Sequence, residues 1–169
     1  YLSRKPRSWI EEVIPIWRDG LADLTEDALM RAVRALCQTS KQPPNPQMIR
    51  EWLSRNQEAD GRWDIKKHGG NGNYESAGVG LALLCYYGWG LSHNKPGKHQ
   101  NNINKALTWL IAQQQDNGFL SSNAAGNGKM YAHGIASIAL CEAYGLSKDP
   151  KLKEPAEKAI NLIITSQSP

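Results

Sequence analysis

The sequence predicts an all-α fold of helical hairpins packed in two concentric layers. Three observations carry that reading. One stretch, an apolar-faced helix running into a glutamine and then a turn glycine, occurs three times. Between its copies lie segments that are apolar around the whole circumference, the mark of a helix covered by neighbours. No stretch of useful length alternates apolar and polar residues with the period of two that a strand requires.

The clearest copy runs from Lys105 to Leu120, with apolar residues at helical spacing through Ala106, Trp109 and Leu110, then Gln114 and the Asn117-Gly118 turn. The first copy lies 57 residues earlier: Trp52, Leu53, Gln57 and Gly61 stand where Trp109, Leu110, Gln114 and Gly118 recur. The third begins 53 residues after the second, Lys105 and Gln114 recurring as Lys158 and Gln167. The intervening segments share the register, since Tyr74, Ala82-Leu83 and Tyr87-Gly88 recur 57 residues on as Tyr131, Ala139-Leu140 and Tyr144-Gly145. A period of this length signals a repeat architecture.

In chain order, Ser8 with Glu11 resembles a capping box. Trp9, Ile10, Val13, Ile14 and Trp17 share a face that Pro15 ends or kinks. Leu24, Ala28, Leu29, Ala32, Val33, Leu36 and Cys37 form a second helical face, and 38–46 is a polar, proline-rich connector. Residues 1–44 are thus read as N-terminal helices with a connector, and 45–169 as the repeat region. Asn45-Pro46 launches the first repeat helix through Asn56. Tyr74–Trp89 and Met130–Tyr144, the latter ended by Gly145, are expected as inner helices covered on all sides. Asp149-Pro150 starts the last helix, whose expected buried face is Ala156, Ala159, Ile160, Ile163 and Ile164.

Composition narrows the function classes. The chain has 169 residues, 40% hydrophobic and 21% charged, which suits one globular domain. A net charge of +4 with scattered basic residues lacks the stripe of Lys/Arg and stacking aromatics that nucleic acid requires. The longest uncharged run, Ala77–Leu91, falls short of the ~20 apolar residues that span a bilayer. Cys37, Cys85 and Cys141 sit in apolar helical contexts and read as three buried free thiols, a lean towards a reducing, cytoplasmic setting. Tyr1 is not an initiator methionine, so upstream sequence is expected.

The order basic, small, aromatic, aliphatic, Gln, Gly, Trp resembles the QW motif of squalene-hopene and oxidosqualene cyclases. Trp52-Leu53, Gln57, Asp60-Gly61 and Trp63 match from the aromatic onward. Lys105-Ala106, Trp109-Leu110, Gln114 and Gly118 match up to the last position, where Leu120 replaces Trp. Lys158-Ala159 to Gln167 matches the start of a third motif. The motifs thus end near residues 63 and 120 and beyond 169. Over roughly residues 46–169 the chain resembles the α/α-toroid superfamily of terpenoid cyclases and protein prenyltransferases, in particular bacterial squalene-cyclase-like repeat proteins. The resemblance implies a partial ring, because family toroids close with about twice as many helices. Its edge is then covered by self-association or by further segments of the same chain.

The expected role of Trp52, Gln57, Gly61, Trp63, Trp109, Gln114 and Gly118 is a structural clasp. A glutamine in the last helical turn can bond orphan carbonyls or the next helix, glycine permits the sharp exit, and Trp63 can shield the amide. No catalytic residue, metal or cofactor is expected. The acidic motif by which triterpene cyclases protonate their substrate is absent. Zinc held as in the prenyltransferases is unsupported, since His133 and Cys141 are eight apart, about 80° around a helix. No nucleophile motif supports a Ser/His/Asp triad.

The candidate ligand surface is at the starts of the inner helices, where Tyr74 with Glu75 and Tyr131 with His133 would open onto the ring's mouth near free N–H groups. Its ligand would be apolar or isoprenoid, or bear a polar headgroup. The opposing reading has the tyrosines packed between layers and His133 bonded to a neighbouring loop. The functional expectation is a binding or scaffold module. The alternatives are a fragment of an isoprenoid enzyme whose acidic motif lies elsewhere, and a polysaccharide lyase-like toroid.

Overall fold

A computed structural model describes residues 46–69, 74–120 and 128–167. The helices expected before residue 38, together with Cys37 and Asn45, lie outside the described residues. The described chain is all-helical: α1 (Pro46–Asn56), α2 (Glu75–Tyr87), α3 (Gln100–Ala112), α4 (Gly128–Ser147) and α5 (Pro150–Thr165), with a 3-10 turn at Lys66–His68. No strand occurs among the described residues.

Local chemistry explains the boundaries. Pro46 and Pro150 stand at helix starts, where a missing N–H costs nothing. Asp149 is extended, and its carboxylate accepts the Lys151 amide at 2.9 Å, capping α5. After α3 the chain turns at Gly118, whose φ is +92°. The end of α4 differs from expectation. Helix α4 runs through Gly145 to Ser147, and the left-handed residue that ends it is Lys148, with φ of 54°.

Among the described helices, α2 and α4 make the most extensive contact, followed by α4 with α5. Small residues allow it: a Cβ on Gly80 would stand 3.1 Å from both Cγ2 and the carbonyl oxygen of Ile135. One core joins Val79, Leu83 and Tyr86 of α2, Ile103, Leu107 and Leu110 of α3, Leu140 of α4 and Leu152 of α5. Burial of this apolar surface, at about 25 cal/mol per Å², is the main term holding the helices together.

Three burial expectations are corrected. The apolar helices are not covered on all sides: Cys85 of α2 is exposed and Ile138 of α4 is 59% exposed. The described cysteines are not buried thiols, Cys141 being half-buried. On α5 the buried residues are Leu152, Ala156 and Ala159, whereas Ile160 and Ile164 face outward. In each case the apolar pattern is wider than the neighbours present to cover it. No described helix is long and apolar enough to cross a membrane.

Candidate functional site

The Gln/Gly stretches bond one helix to another. The Gln57 side-chain N–H donates to the Gly61 carbonyl at 2.8 Å, closing its own turn, and to the Asn102 carbonyl in the first turn of α3 at 2.9 Å. Asn102 returns a bond from its side-chain amide to Gln57 Oε1 at 2.7 Å. Gln114 does the same one copy later, donating to the Gly118 carbonyl at 3.2 Å and to the Pro155 carbonyl of α5 at 2.8 Å. In both turns the acceptors are backbone carbonyls, one in the turn itself and one on the next amphipathic helix.

The glycines complete each contact. Gly61 and Gly118 have φ of +102° and +92°, and a Cβ on either would overlap a backbone carbonyl, that of Lys105 or of Lys158 respectively. Each turn therefore sits directly on the backbone of the next amphipathic helix, at the corresponding residues Lys105 and Lys158. Trp63 is 4% exposed and its indole N–H donates to the Leu53 carbonyl at 2.8 Å. It caps an orphan carbonyl of α1. Trp52 and Trp109 pack on the same core, half-buried.

The four candidate ligand residues divide. Tyr74 and Tyr131 come together on a small cluster of Ala77, Ala132 and Ile135. The Tyr74 ring also covers Gly128, where any Cβ would overlap it. Burial raises the Tyr131 phenol above its usual pKa. Glu75 turns to Arg62, 2.7 Å away, and Arg62 also holds Asp60 at 2.9 Å. His133 is fully buried.

Both imidazole nitrogens of His133 are committed. The Leu120 amide donates to Nδ1 at 3.1 Å, so the ring proton belongs on Nε2, which faces the Ala159 carbonyl at 3.1 Å. Desolvation pulls its pKa below the ordinary histidine value, with the Ala159 carbonyl opposing. His133 thus ties the loop after α3 to α4 and α5. The structure places Glu75 and His133 in separate bonding partnerships.

Two features escaped the sequence reading. Ser54 Oγ lies 2.7 Å from His99 Nδ1 and 3.1 Å from the Tyr86 hydroxyl, so one hydroxyl links α1, α2 and the start of α3. Burial lowers the His99 pKa, with Glu51 opposing. Nothing in the spacing of Ser54, Tyr86 and His99 marks them. The second feature was visible: positions 62 and 119 correspond but differ in chemistry. Arg62 pairs with Glu75, whereas Phe119 stacks on His133 with ring centroids 5.3 Å apart.

Among the described residues no group of three or more His, Cys, Asp or Glu side chains could hold a metal ion. The chemistry the arrangement performs is hydrogen bonding between neighbouring helices. Compared with protein-family models, with curated proteins and with solved structures, the chain has no significant match.

Proposed function

We propose that this chain is a segment of a squalene-cyclase- or prenyltransferase-like α/α toroid of QW-type repeats, working as a binding or scaffold module. The observation that carries the reading is the doubled clasp. Gln57 and Gln114 each bond a carbonyl of their own turn and one of the next amphipathic helix, while Gly61 and Gly118 each press on that helix's backbone. Two contacts made alike, 57 residues apart, are what stacked repeats require. The scaffold role follows from where the polar side chains go. Glu75, His133 and Gln57 are spent on holding elements together rather than aimed at a shared cavity.

Two measurements test this. Incubation with a polyprenyl diphosphate or squalene, followed by product analysis, is expected to show no turnover; any product would overturn the scaffold role. Gln114→Leu is expected to lower stability by about 2 kcal/mol, because it removes the side-chain bonds to both the Gly118 and the Pro155 carbonyls. Unchanged stability would overturn the clasp.

A further inference from the structure

The hydrogen bonds joining α1, α2 and the start of α3 run through one serine, and their direction depends on one proton. Ser54 Oγ of α1 lies 2.7 Å from His99 Nδ1 and 3.1 Å from the Tyr86 hydroxyl of α2. Tyr86 is fully buried, and among the described residues Ser54 is the partner of its hydroxyl. With His99 neutral and its proton on Nε2, every hydrogen is placed. Tyr86 O–H donates to Ser54 Oγ, and Ser54 O–H donates to Nδ1. A second proton on His99 makes Nδ1 a donor. Ser54 then accepts from the ring and turns its own hydrogen to the Tyr86 oxygen. That strands the Tyr86 hydrogen in the core without an acceptor, the costly half of a broken hydrogen bond.

The corresponding junction one copy later has no such chain. Adding 57 to Ser54 and Tyr86, and 53 to His99, the offsets of the copies, gives Ile111, Ala143 and Leu152. All three lie in or against the apolar core. One junction is therefore apolar and indifferent to pH, whereas its counterpart carries a titratable group. The charges around that group oppose a second proton. Burial pulls the His99 pKa below the ordinary value, Glu51 of α1 works against it, and Lys98 and Arg50 add to the lowering. Glu51 is itself held by Lys98 at 2.6 Å. His99 also stands at the N-cap of α3, where the positive end of the helix dipole disfavours a cation. From α2 the facing group is Tyr86, its ring centroid 5.4 Å away and its phenol raised by burial.

We propose that the Tyr86–Ser54–His99 chain is an acid-sensitive latch, in which one proton taken up by His99 loosens α1 from α2 while the α2–α4 packing stays closed. The Gln57 bond to the Asn102 carbonyl carries no titratable group, so α1 loosens without parting from α3. In the loosened state His99 titrates near the free value of about 6.5, above its value in the closed state. The latch is therefore fully closed above about pH 6.5 and gives way as pH falls toward the closed-state value.

The test is amide hydrogen exchange of the whole chain by NMR between pH 7 and pH 5, corrected for the intrinsic pH dependence of exchange. Amides in the last turn of α1 are expected to lose protection below about pH 6.5, by up to about tenfold per pH unit, the limit for one proton. They should do so ahead of amides near Leu140 in α4. Tyr86→Phe removes the hydrogen that acid strands, so the loss should shrink severalfold although His99 remains. Ser54→Ala strands the Tyr86 hydroxyl at every pH, so α1 should already be loosened at pH 7. Three results would each overturn the latch: α1 amides that stay protected to pH 5, α1 and α4 amides that lose protection together, or an acid loss undiminished in Tyr86→Phe. The last would mean that desolvation of the ring alone sets the response.

Discussion

At the residue scale, the structure distinguishes glycines that the sequence presents alike. Gly61 and Gly118 are left-handed and pressed on a backbone carbonyl that cannot yield. Alanine at either is expected to cost about 2–4 kcal/mol, combining strain and overlap, as a denaturant titration would show. Gly134, inside α4, has nothing within 4 Å of a built Cβ, so Gly134→Ala is expected to stabilise the protein by about 0.5–1 kcal/mol. Histidine supplies a second contrast. His133 and His99 are both held below the ordinary value, chiefly by desolvation. In each case the folded pKa lies under the unfolded one, so the contribution to stability is complete above about pH 6.5 and is lost as pH falls through the folded value. Thermal melts should therefore fall as pH drops from 7 to 5, and His99→Gln should flatten that slope.

The same scale shows what the sequence could and could not disclose. The glutamines and glycines were legible because one register repeats them. Their acceptors were not, since a backbone carbonyl carries no side-chain signature; Asn102 and Pro155 are of different types and stand at different distances from their glutamines. His133 was visible as a departure from the repeat, Ser76 being its counterpart, but the departure fits two readings. A non-recurring residue either serves a ligand or compensates for another substitution. Here Leu120 replaces Trp63 where His133 replaces Ser76, and all four are buried. Bulk lost on one side is matched by bulk gained on the other. Leu120→Trp alone should destabilise by overpacking, and adding His133→Ser should recover part of the loss, which a double-mutant cycle would measure.

At the scale of elements, helix type and most starts followed from capping and periodicity, and exposure did not. The Asp149-Pro150 start is as expected, and Asp149→Ala should cost about 1 kcal/mol by removing the acceptor of the Lys151 amide. The end of α4 was misplaced because Gly145 repeats Gly88. In α2 the chain leaves the helix at Gly88, whereas α4 continues for two residues beyond Gly145. Apolar periodicity reports which face is able to be buried; whether a neighbour arrives depends on what lies beyond the helix. Ile160 and Ile164 share the pattern of Leu107 and Ile111, yet only the latter pair meets a neighbour.

At the scale of the whole molecule, the described chain is a run of helices in which the Gln57 and Gln114 turns each grip the next helix but one. The all-α class was fully legible, because it needs only periodicity and the absence of strand patterns. The ring that the resemblance implies needs the curvature of many stacked hairpins, which no local pattern encodes. The grip itself ties α1 to α3 and α3 to α5. The most direct measurement of it is hydrogen exchange at the glutamine side-chain amides, resolved by NMR. Gln57 and Gln114 each place their amide nitrogen between two carbonyls, so their side-chain protons should exchange far more slowly than those of exposed Gln115. Gln57 and Gln114 amides exchanging at the Gln115 rate would contradict the clasp and, with it, the repeat module built on it.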